Sequence, residues 1–177
     1  QRQMCIRDSR CECSERWDIE KLDMNPDGQR IDSTPGSPFT IERATWRDLN
    51  DLRNLEKICF PKDAWPLWDL VGVLTMPNVE RLKAVVNGEM VGFVAADVRP
   101  LQDVAWIATI GVLPEYRRQG IATALMKVCE ENLKVSRVRL SARRSNDAAI
   151  RLYQNEGYTK VGLSLIHISE PTRLRRI

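Results

Sequence analysis

The sequence predicts one α/β domain, in which helices cover both faces of a mixed sheet. Three observations lead to this fold class. Asn87-Gly88 separates two apolar runs, which is a signal of a β-hairpin. Residues 104–112 are apolar nearly throughout, as expected of a central strand. Residues 119–134 carry apolar side chains at helical spacing and precede a strand-like run, which predicts a right-handed crossover.

The elements of the first half follow from alternation, spacing and end signals. Residues 39–43 alternate between apolar and polar side chains, which indicates a first strand. Thr45 and Asp48 form a capping-box-like pattern at the start of an amphipathic helix over 46–59. A second, more apolar helix is predicted over 65–75.

The second half is a hairpin followed by alternating strands and helices. The hairpin strands span 81–86 and 89–98. Asn146 or its neighbour Ser145 caps the last helix, and Gly157 stands just past its end. The remaining predicted elements are strand 104–112, helix 119–134, strand 137–141, helix 145–155 and a strand that starts at 158–161.

The two ends of the chain are unusual. Met4–Ser9 and Leu163–His167 can be encoded by one DNA element read on opposite strands. We therefore expect residues 1–9 and 163–177 to be translated sequencing-adapter DNA and leave them out of the functional interpretation.

Between these ends lie a leader and a domain. Residues 10–38 are polar and rich in turn residues, so we predict a flexible leader. The folded domain is predicted over 39–162 and is expected to lack its final strand. The adapter-like residues would extend the last strand and leave one slot of the sheet unfilled.

Composition excludes several classes of protein. The chain of 177 residues has 27 basic and 24 acidic residues, and the net charge of +3 comes from the two ends, so nothing indicates a nucleic-acid partner. No apolar run reaches the roughly 18 residues of a membrane span, so no membrane partner is expected. The single histidine, His167, lies in an adapter-like end, and the five cysteines include no C-x-x-C pair. We expect a cytoplasmic protein without disulfides or a metal.

One segment carries most of the chemical information. A buried strand ends at Val112, a proline turn follows, and a basic loop with Gly120 opens a long helix. The first N–H groups of a helix lack internal partners and, with the helix dipole, favour an anion. Gly120 and Ala122 allow close approach to the backbone, while Arg117 and Arg118 add positive charge. The segment therefore suits a diphosphate, although solvated arginines at an ordinary helix start would leave the same pattern.

Two motifs in this element order resemble the GNAT superfamily of N-acetyltransferases. The first, Arg117 to Ala122, is similar to the superfamily pattern (Gln/Arg)-x-x-Gly-x-(Gly/Ala). The second runs from Arg144 to Tyr153 and continues with Gly157-Tyr158. The similarity spans about 39–162. The chain most resembles the ribosomal-protein N-terminal alanine acetyltransferases, through Cys59-Phe60-Pro61, Ile110-Gly111-Val112, Ser145-Asn146 and Tyr153.

The resemblance implies a mostly antiparallel sheet, acetyl-CoA as the co-substrate and an amine as the acceptor. The backbone of Ile110 and Val112 would pair with the pantetheine arm, and the amides of 118–123 would hold the pyrophosphate. Asn146 would contact the cofactor arm, although it also serves as a helix cap. Tyr153 would protonate the leaving thiolate, or it packs as a core aromatic. The implied cofactor-binding residues are Ile110, Gly111, Val112, Arg117, Arg118, Gln119, Gly120, Ile121, Ala122, Thr123 and Asn146.

The general base departs from the family pattern. The alanine acetyltransferases carry a Glu where this chain has Ser141, and many other members carry one where it has Trp106. Asp103, Glu56 and a water held by backbone carbonyls remain as candidates. A protein α-amino group, with a pKa near about 8, needs less help from a base.

The predicted function is acetyl transfer from acetyl-CoA to a primary amine, either a peptide N-terminus or a small molecule. A non-catalytic acyl-CoA-binding module is the alternative, because carboxylates are missing at Trp106 and Ser141. A third alternative is that the truncated chain does not fold stably. Trp65 and Trp68 lie between the first two helices, where the family places the acceptor groove, or else they pack in the core.

Overall fold

The computed structural model describes residues 14–20, 38–61 and 64–164, with only the backbone of 14–20 and 162–164. The adapter-like segment 1–9, most of the predicted leader and residues 165–177 lie outside the described residues. The predictions for His167 and for the three N-terminal cysteines also fall there.

The described residues form seven strands and four α-helices. Their order matches the predicted order, with one further strand at the N-terminal side. Thr45 N–H donates to Asp48 Oδ2 over 2.7 Å, as the capping-box pattern predicts, although the first turn, Trp46–Asp48, is a 3-10 helix. The strands are Ser14–Glu20 (β1), Thr40–Arg43 (β2), Val79–Val86 (β3), Glu89–Arg99 (β4), Val104–Val112 (β5), Arg137–Arg143 (β6) and Thr159–Ser164 (β7). The helices are Leu49–Cys59 (α1), Leu67–Thr75 (α2), Ile121–Asn132 (α3) and Asp147–Asn155 (α4).

The strands form one sheet in the order β2-β3-β4-β5-β6-β1-β7. All neighbours are antiparallel except β5 and β6, which are parallel because α3 carries the chain back across the sheet between them. Asn87 and Gly88 both have positive φ, as the turn of the β3–β4 hairpin requires. The predicted mixed, mostly antiparallel sheet is confirmed.

The strand at the N-terminal side, β1, shows that two predictions were wrong. Ser14–Glu20 lies inside the segment predicted to be a flexible leader, and there it forms β1. This strand fills the slot between β6 and β7, which was predicted to stay empty. The predicted extension of the last strand is present, since β7 continues to Ser164. Unpaired edges on β6 and β7 leave backbone groups without partners, so a neighbouring segment that can pair with both is stabilised there.

Helices cover both faces of the sheet, and each face has its own core. On one face, Leu52 and Leu55 of α1 pack with Leu70 of α2 and with Phe93 of β4. The other face packs against α3 and α4, and its buried side chains include Ile121, Leu125, Met126, Cys129, Val138, Leu140 and Tyr153. A site at the middle of the sheet therefore has one wall from α1 and one from the α3–α4 side.

Candidate active site

The parallel strands β5 and β6 separate halfway along their length. They are paired only where Val104–Ile107 lies beside Arg137–Leu140, whereas β5 continues to Val112. The separation begins at a β-bulge. Thr109 lies opposite Ala95 and Ile107 opposite Ala96, so Ala108 is an extra residue in β5. A bulge bends its strand and increases the local twist, which opens a cleft between the two strands.

The cleft has a backbone edge that no strand in the described ranges pairs with. Leu113 N–H donates to Val91 of β4 over 2.9 Å, so by alternation the N–H and C=O groups of Ile110 and Val112 point away from β4, into the cleft. These are the two residues whose backbone was predicted to pair with a pantetheine arm. A strand-like ligand can therefore add to this edge.

The turn after β5 is shaped by two residues in the left-handed region. Arg118 has φ of 65° and Gly120 has φ of 80°, and the chain enters α3 directly after Gly120. A Cβ placed on Gly120 would meet no heavy atom within 4 Å. The loop 117–120 is exposed. Ligands can therefore reach its backbone.

The amides of this turn are available for a ligand. The N–H of Tyr116 bonds to Leu113, that of Arg117 to Pro114 and that of Ala124 to Gly120. Between them, no acceptor in the described part of the chain takes a hydrogen bond from the amides of 118–123. Six successive amides at a helix N-terminus are therefore free to bind an anion, which is the geometry that the predicted diphosphate site requires.

Two side chains of the turn bind the protein itself. Arg117 Nε donates to the carbonyl of Val112 over 3.0 Å, and Gln119 Nε2 donates to the carbonyl of Glu115 over 3.2 Å. Arg117 thus joins the turn to the end of β5. Its guanidinium also approaches the thiol of Cys59, whose pKa is raised by burial and lowered to a smaller extent by this cation.

The comparisons with known proteins agree with this geometry. The model of the acetyltransferase (GNAT) family matches residues 46–158. The chain belongs to the GNAT family. An N-alpha-acetyltransferase of Sulfurisphaera tokodaii is 29% identical over 140 residues, which cover 71% of this chain and 83% of that protein. The L-amino acid N-acetyltransferase AaaT of Escherichia coli is 28% identical over 136 residues, which cover 69% of this chain and 83% of the relative.

A solved structure supports the closer resemblance. The ribosomal-protein-S18-alanine N-acetyltransferase from Escherichia coli superposes with a TM-score of 0.63 and 26% identity, covering 70% of this chain and 79% of that one. The chain is an N-acetyltransferase, and enzymes with the GNAT fold use acetyl-CoA. The free amides and the free strand edge fit that co-substrate. No helix in the described ranges is long and apolar enough to cross a membrane.

Two predicted site residues of this GNAT domain belong to α4, one as its N-cap and one within it. Asn146 caps the helix, since its Oδ1 accepts from the N–H of Ala149 over 3.2 Å. Tyr153 is 5% exposed, and its ring lies 6.0 Å from that of Tyr158. Burial raises the pKa of Tyr153 to about 12, and no hydrogen bond to its hydroxyl is found within the described ranges. The hydroxyl therefore stays protonated at neutral pH.

One buried carboxylate reaches the cleft from the other face. Glu56 of α1 is 1% exposed, and its Oε1 accepts from the hydroxyl of Thr109 over 3.2 Å. Burial raises the pKa of Glu56, and the Thr109 hydroxyl and the Trp65 N–H lower it to a smaller extent. Glu56 Oε2 has no hydrogen-bond partner among the described groups. Thr109 was not recognised from the sequence, because it stands as one polar residue in an apolar strand.

The other base candidates fit less well. Asp103 precedes β5, and about five residues of strand, or roughly 17 Å, separate it from Thr109. Its carboxylate accepts from the N–H and hydroxyl of Ser136, and these hydrogen bonds lower its pKa. The guanidinium carbon of Arg139 lies over the ring of Trp106, 5.7 Å from the ring centroid. Ser141 is exposed on β6.

The two tryptophans of the helix connection behave differently. Trp65 is half-buried against the core beside α1, whereas Trp68 is 81% exposed on α2. The alternative prediction that both tryptophans pack in the core is therefore wrong for Trp68. Its neighbour Leu67 is 41% exposed, so the start of α2 presents apolar surface.

Proposed function

We propose that this enzyme transfers the acetyl group of acetyl-CoA to the α-amino group of a peptide or protein N-terminus. The observation that carries this proposal is the open turn with six unbonded amides, placed at the end of a strand whose edge is free. Both features suit one long ligand with a diphosphate and an amide-rich arm.

The cofactor would lie along β5. The pyrophosphate would accept from the amides of 118–123 at the N-terminus of α3. The pantetheine arm would pair with the backbone of Ile110 and with Val112 N–H, because the Val112 carbonyl already accepts from Arg117. Asn146 would contact the arm while capping α4. The thioester would then reach the bulge, near Tyr153.

The reaction is direct acyl transfer. The neutral amine attacks the thioester carbonyl, so a C–N bond forms and the carbon–sulfur bond breaks. Backbone N–H groups at the β5 edge stabilise the oxyanion. Tyr153 donates its proton to the leaving thiolate, while the attacking nitrogen loses its excess proton to a base.

A peptide acceptor is favoured by the surface beside α1 and α2. The family resemblance puts the acceptor groove there, and the exposed Leu67 and Trp68 offer apolar contacts to peptide side chains. Relatives include one named as the catalytic subunit of an N-terminal acetyltransferase A complex, from Arabidopsis thaliana. The amino-acid acetyltransferase AaaT supports the alternative, a small-molecule amine. A cytoplasmic location and the absence of a metal stay predictions.

The proposed binding of the pyrophosphate by the turn is tested with Gly120→Glu, and Gly88→Glu serves as the control. Both glycines have positive φ and open surroundings, so the strain of substitution is matched. Gly120→Glu places a carboxylate in the turn and should weaken coenzyme A binding at least about 100-fold by calorimetry, whereas Gly88→Glu should stay within about 2-fold. Equal binding by wild type and Gly120→Glu would place the pyrophosphate elsewhere.

The acceptor is tested with a panel of peptides with different N-terminal residues, alongside free amino acids and polyamines. We expect acetylation of peptide α-amino groups, detected as a mass increase by one acetyl group. Transfer to free amino acids or polyamines alone would favour the alternative. Coenzyme A binding without transfer to any amine would favour a non-catalytic module.

A further inference from the structure

We propose that Glu56 is the proton acceptor of the transfer reaction and acts through the hydroxyl of Thr109. The inference rests on the proposed function, because it assigns the base that this reaction needs. It starts from a carboxylate that is buried beneath the cleft and from the hydroxyl that separates it from the cleft.

The position of Glu56 follows from the alternation of β5. Ala105 and Ile107 belong to the core on the α3 side, so Trp106 faces α1 and α2. After the bulge, Thr109 faces the same way, since it donates to Glu56 of α1. The carboxylate that the central strand lacks at Trp106 is thus supplied from α1, on the same face of the sheet.

The pair has the arrangement of a relay. Thr109 is half-buried at the start of the cleft, while Glu56 lies behind it. Thr109 Oγ1 already donates its proton to Glu56 Oε1, so its lone pairs are free to accept from an amine or a water in the cleft. When the amine nitrogen releases a proton to Oγ1, the Thr109 proton passes to Oε1. The hydroxyl ends unchanged, and Glu56 ends protonated.

The surroundings of Glu56 favour a carboxylate that accepts a proton. Burial raises the pKa of Glu56, which strengthens it as a proton acceptor compared with an exposed carboxylate. The groups that face it are the Thr109 hydroxyl of β5, the Trp65 N–H before α2 and, one turn along α1, the Cys59 thiol with Arg117 beyond it. A buried carboxylate with one oxygen lacking a partner is costly for folding, which is expected of a functional group.

The test compares Glu56→Gln, Thr109→Val and Thr109→Ser with the wild type. Acetyl transfer to a peptide is followed from about pH 6 to about pH 9, with coenzyme A binding measured in parallel. We expect kcat to fall about 100-fold or more in Glu56→Gln and Thr109→Val, while Thr109→Ser, which keeps the hydroxyl, stays within about 3-fold. Coenzyme A affinity should change less than about 2-fold in all three variants.

The pH profile separates a proton acceptor from a packing role. In the wild type, kcat should fall as pH drops through the raised pKa of Glu56. In Glu56→Gln, this decrease of kcat at low pH should be absent. An unchanged kcat and an unchanged profile in Glu56→Gln would overturn the proposal. If Glu56→Gln does not fold, the threonine pair decides, since equal kcat of Thr109→Val and Thr109→Ser, whether both are low or both are unchanged, would also overturn the proposal. A wild type that binds coenzyme A but acetylates no amine would contradict the proposed function instead.

Discussion

Tyr153 and Glu56 are two buried titratable groups on opposite faces of the sheet, and burial moves the pKa of both upward. For the phenol, burial keeps the hydroxyl protonated to higher pH, although the higher pKa also makes it a weaker acid. For the carboxylate, burial gives a proton acceptor that is stronger than an exposed one.

Tyr153→Phe removes only the hydroxyl. Since that hydroxyl makes no hydrogen bond within the described ranges, we expect little change in melting temperature. The loss of the proton donor should lower kcat by about 100-fold. Wild-type kcat should not decrease at high pH until the pH approaches about 12, because the Tyr153 hydroxyl must be protonated to act as the donor. An unchanged kcat in Tyr153→Phe would remove this role.

Glu56→Gln also has a predicted effect on stability. The pKa of Glu56 is higher in the folded than in the unfolded chain, so wild-type stability decreases as pH rises through the folded pKa. The neutral variant lacks this decrease. Its melting temperature relative to the wild type should therefore increase from about pH 4 to about pH 8. A difference that stays constant or declines over this range would show that the carboxylate is not destabilised by burial.

Single residues show how far the sequence predicts the site. Gly120 and Asn146 were predicted because turn and cap signals are local. Glu56 was one of three base candidates, and the choice depended on Thr109, which lies 53 residues away. Contacts of that separation leave no spacing pattern in one sequence.

At the scale of elements, the junction between β5 and α3 depends on Arg117. Its hydrogen bond to Val112 ties the turn to the strand end. Arg117→Met should weaken coenzyme A binding by about 10-fold, since a hydrogen bond from a charged group is worth about 1.5–3 kcal/mol and this arginine is partly solvated.

Arg118→Met is the matched control, since Arg118 also carries positive charge in the exposed loop. Any weakening of coenzyme A binding by Arg118→Met should largely disappear in 1 M salt, where the Debye length is about 3 Å. The weakening by Arg117→Met should persist in 1 M salt. Equal salt dependence of the two variants would contradict a structural tie at Arg117.

The ends of elements were predicted better than their irregularities. The helix over 46–59 begins as a 3-10 turn, and the strand over 104–112 contains a bulge at Ala108. Neither feature changes the apolar pattern that identified these elements. The bulged residue, Ala108, is exposed but is itself small and apolar, so it does not interrupt the apolar run and the sequence pattern carries no mark of the bulge.

At the scale of the whole molecule, the sheet is completed by the N-terminal strand β1. Its sequence, Ser14–Glu20, is largely charged, and only Trp17 and Ile19 alternate as a strand does. Charge and neighbouring turn residues favoured a flexible leader. In the structure, β1 forms because it pairs with the backbone groups of β6 and β7. This pairing exists only in the assembled sheet, so the local sequence of β1 does not predict it.

Asp18→Pro tests the contribution of β1. Because β1 lies between two strands, a proline there removes a backbone donor that faces one of them. We expect a loss of about 1–3 kcal/mol in the free energy of unfolding, measured with urea, whereas Asp18→Thr, which keeps the N–H, should lose much less. Equal stability of the two variants would mean that β1 does not hold the sheet together.

In the proposed complex, the turn before α3 holds the pyrophosphate through its backbone. The most direct measurement is an amide NMR titration of the full chain with coenzyme A. For this complex, we expect the largest shifts on the amides of 118–123, with further changes at Ile110 and Val112. Unchanged amides in that turn would contradict it, and so would shifts centred on the recess that is lined by Pro38, Phe39, Thr40, Glu42, Val85, Asn87 and Gly88.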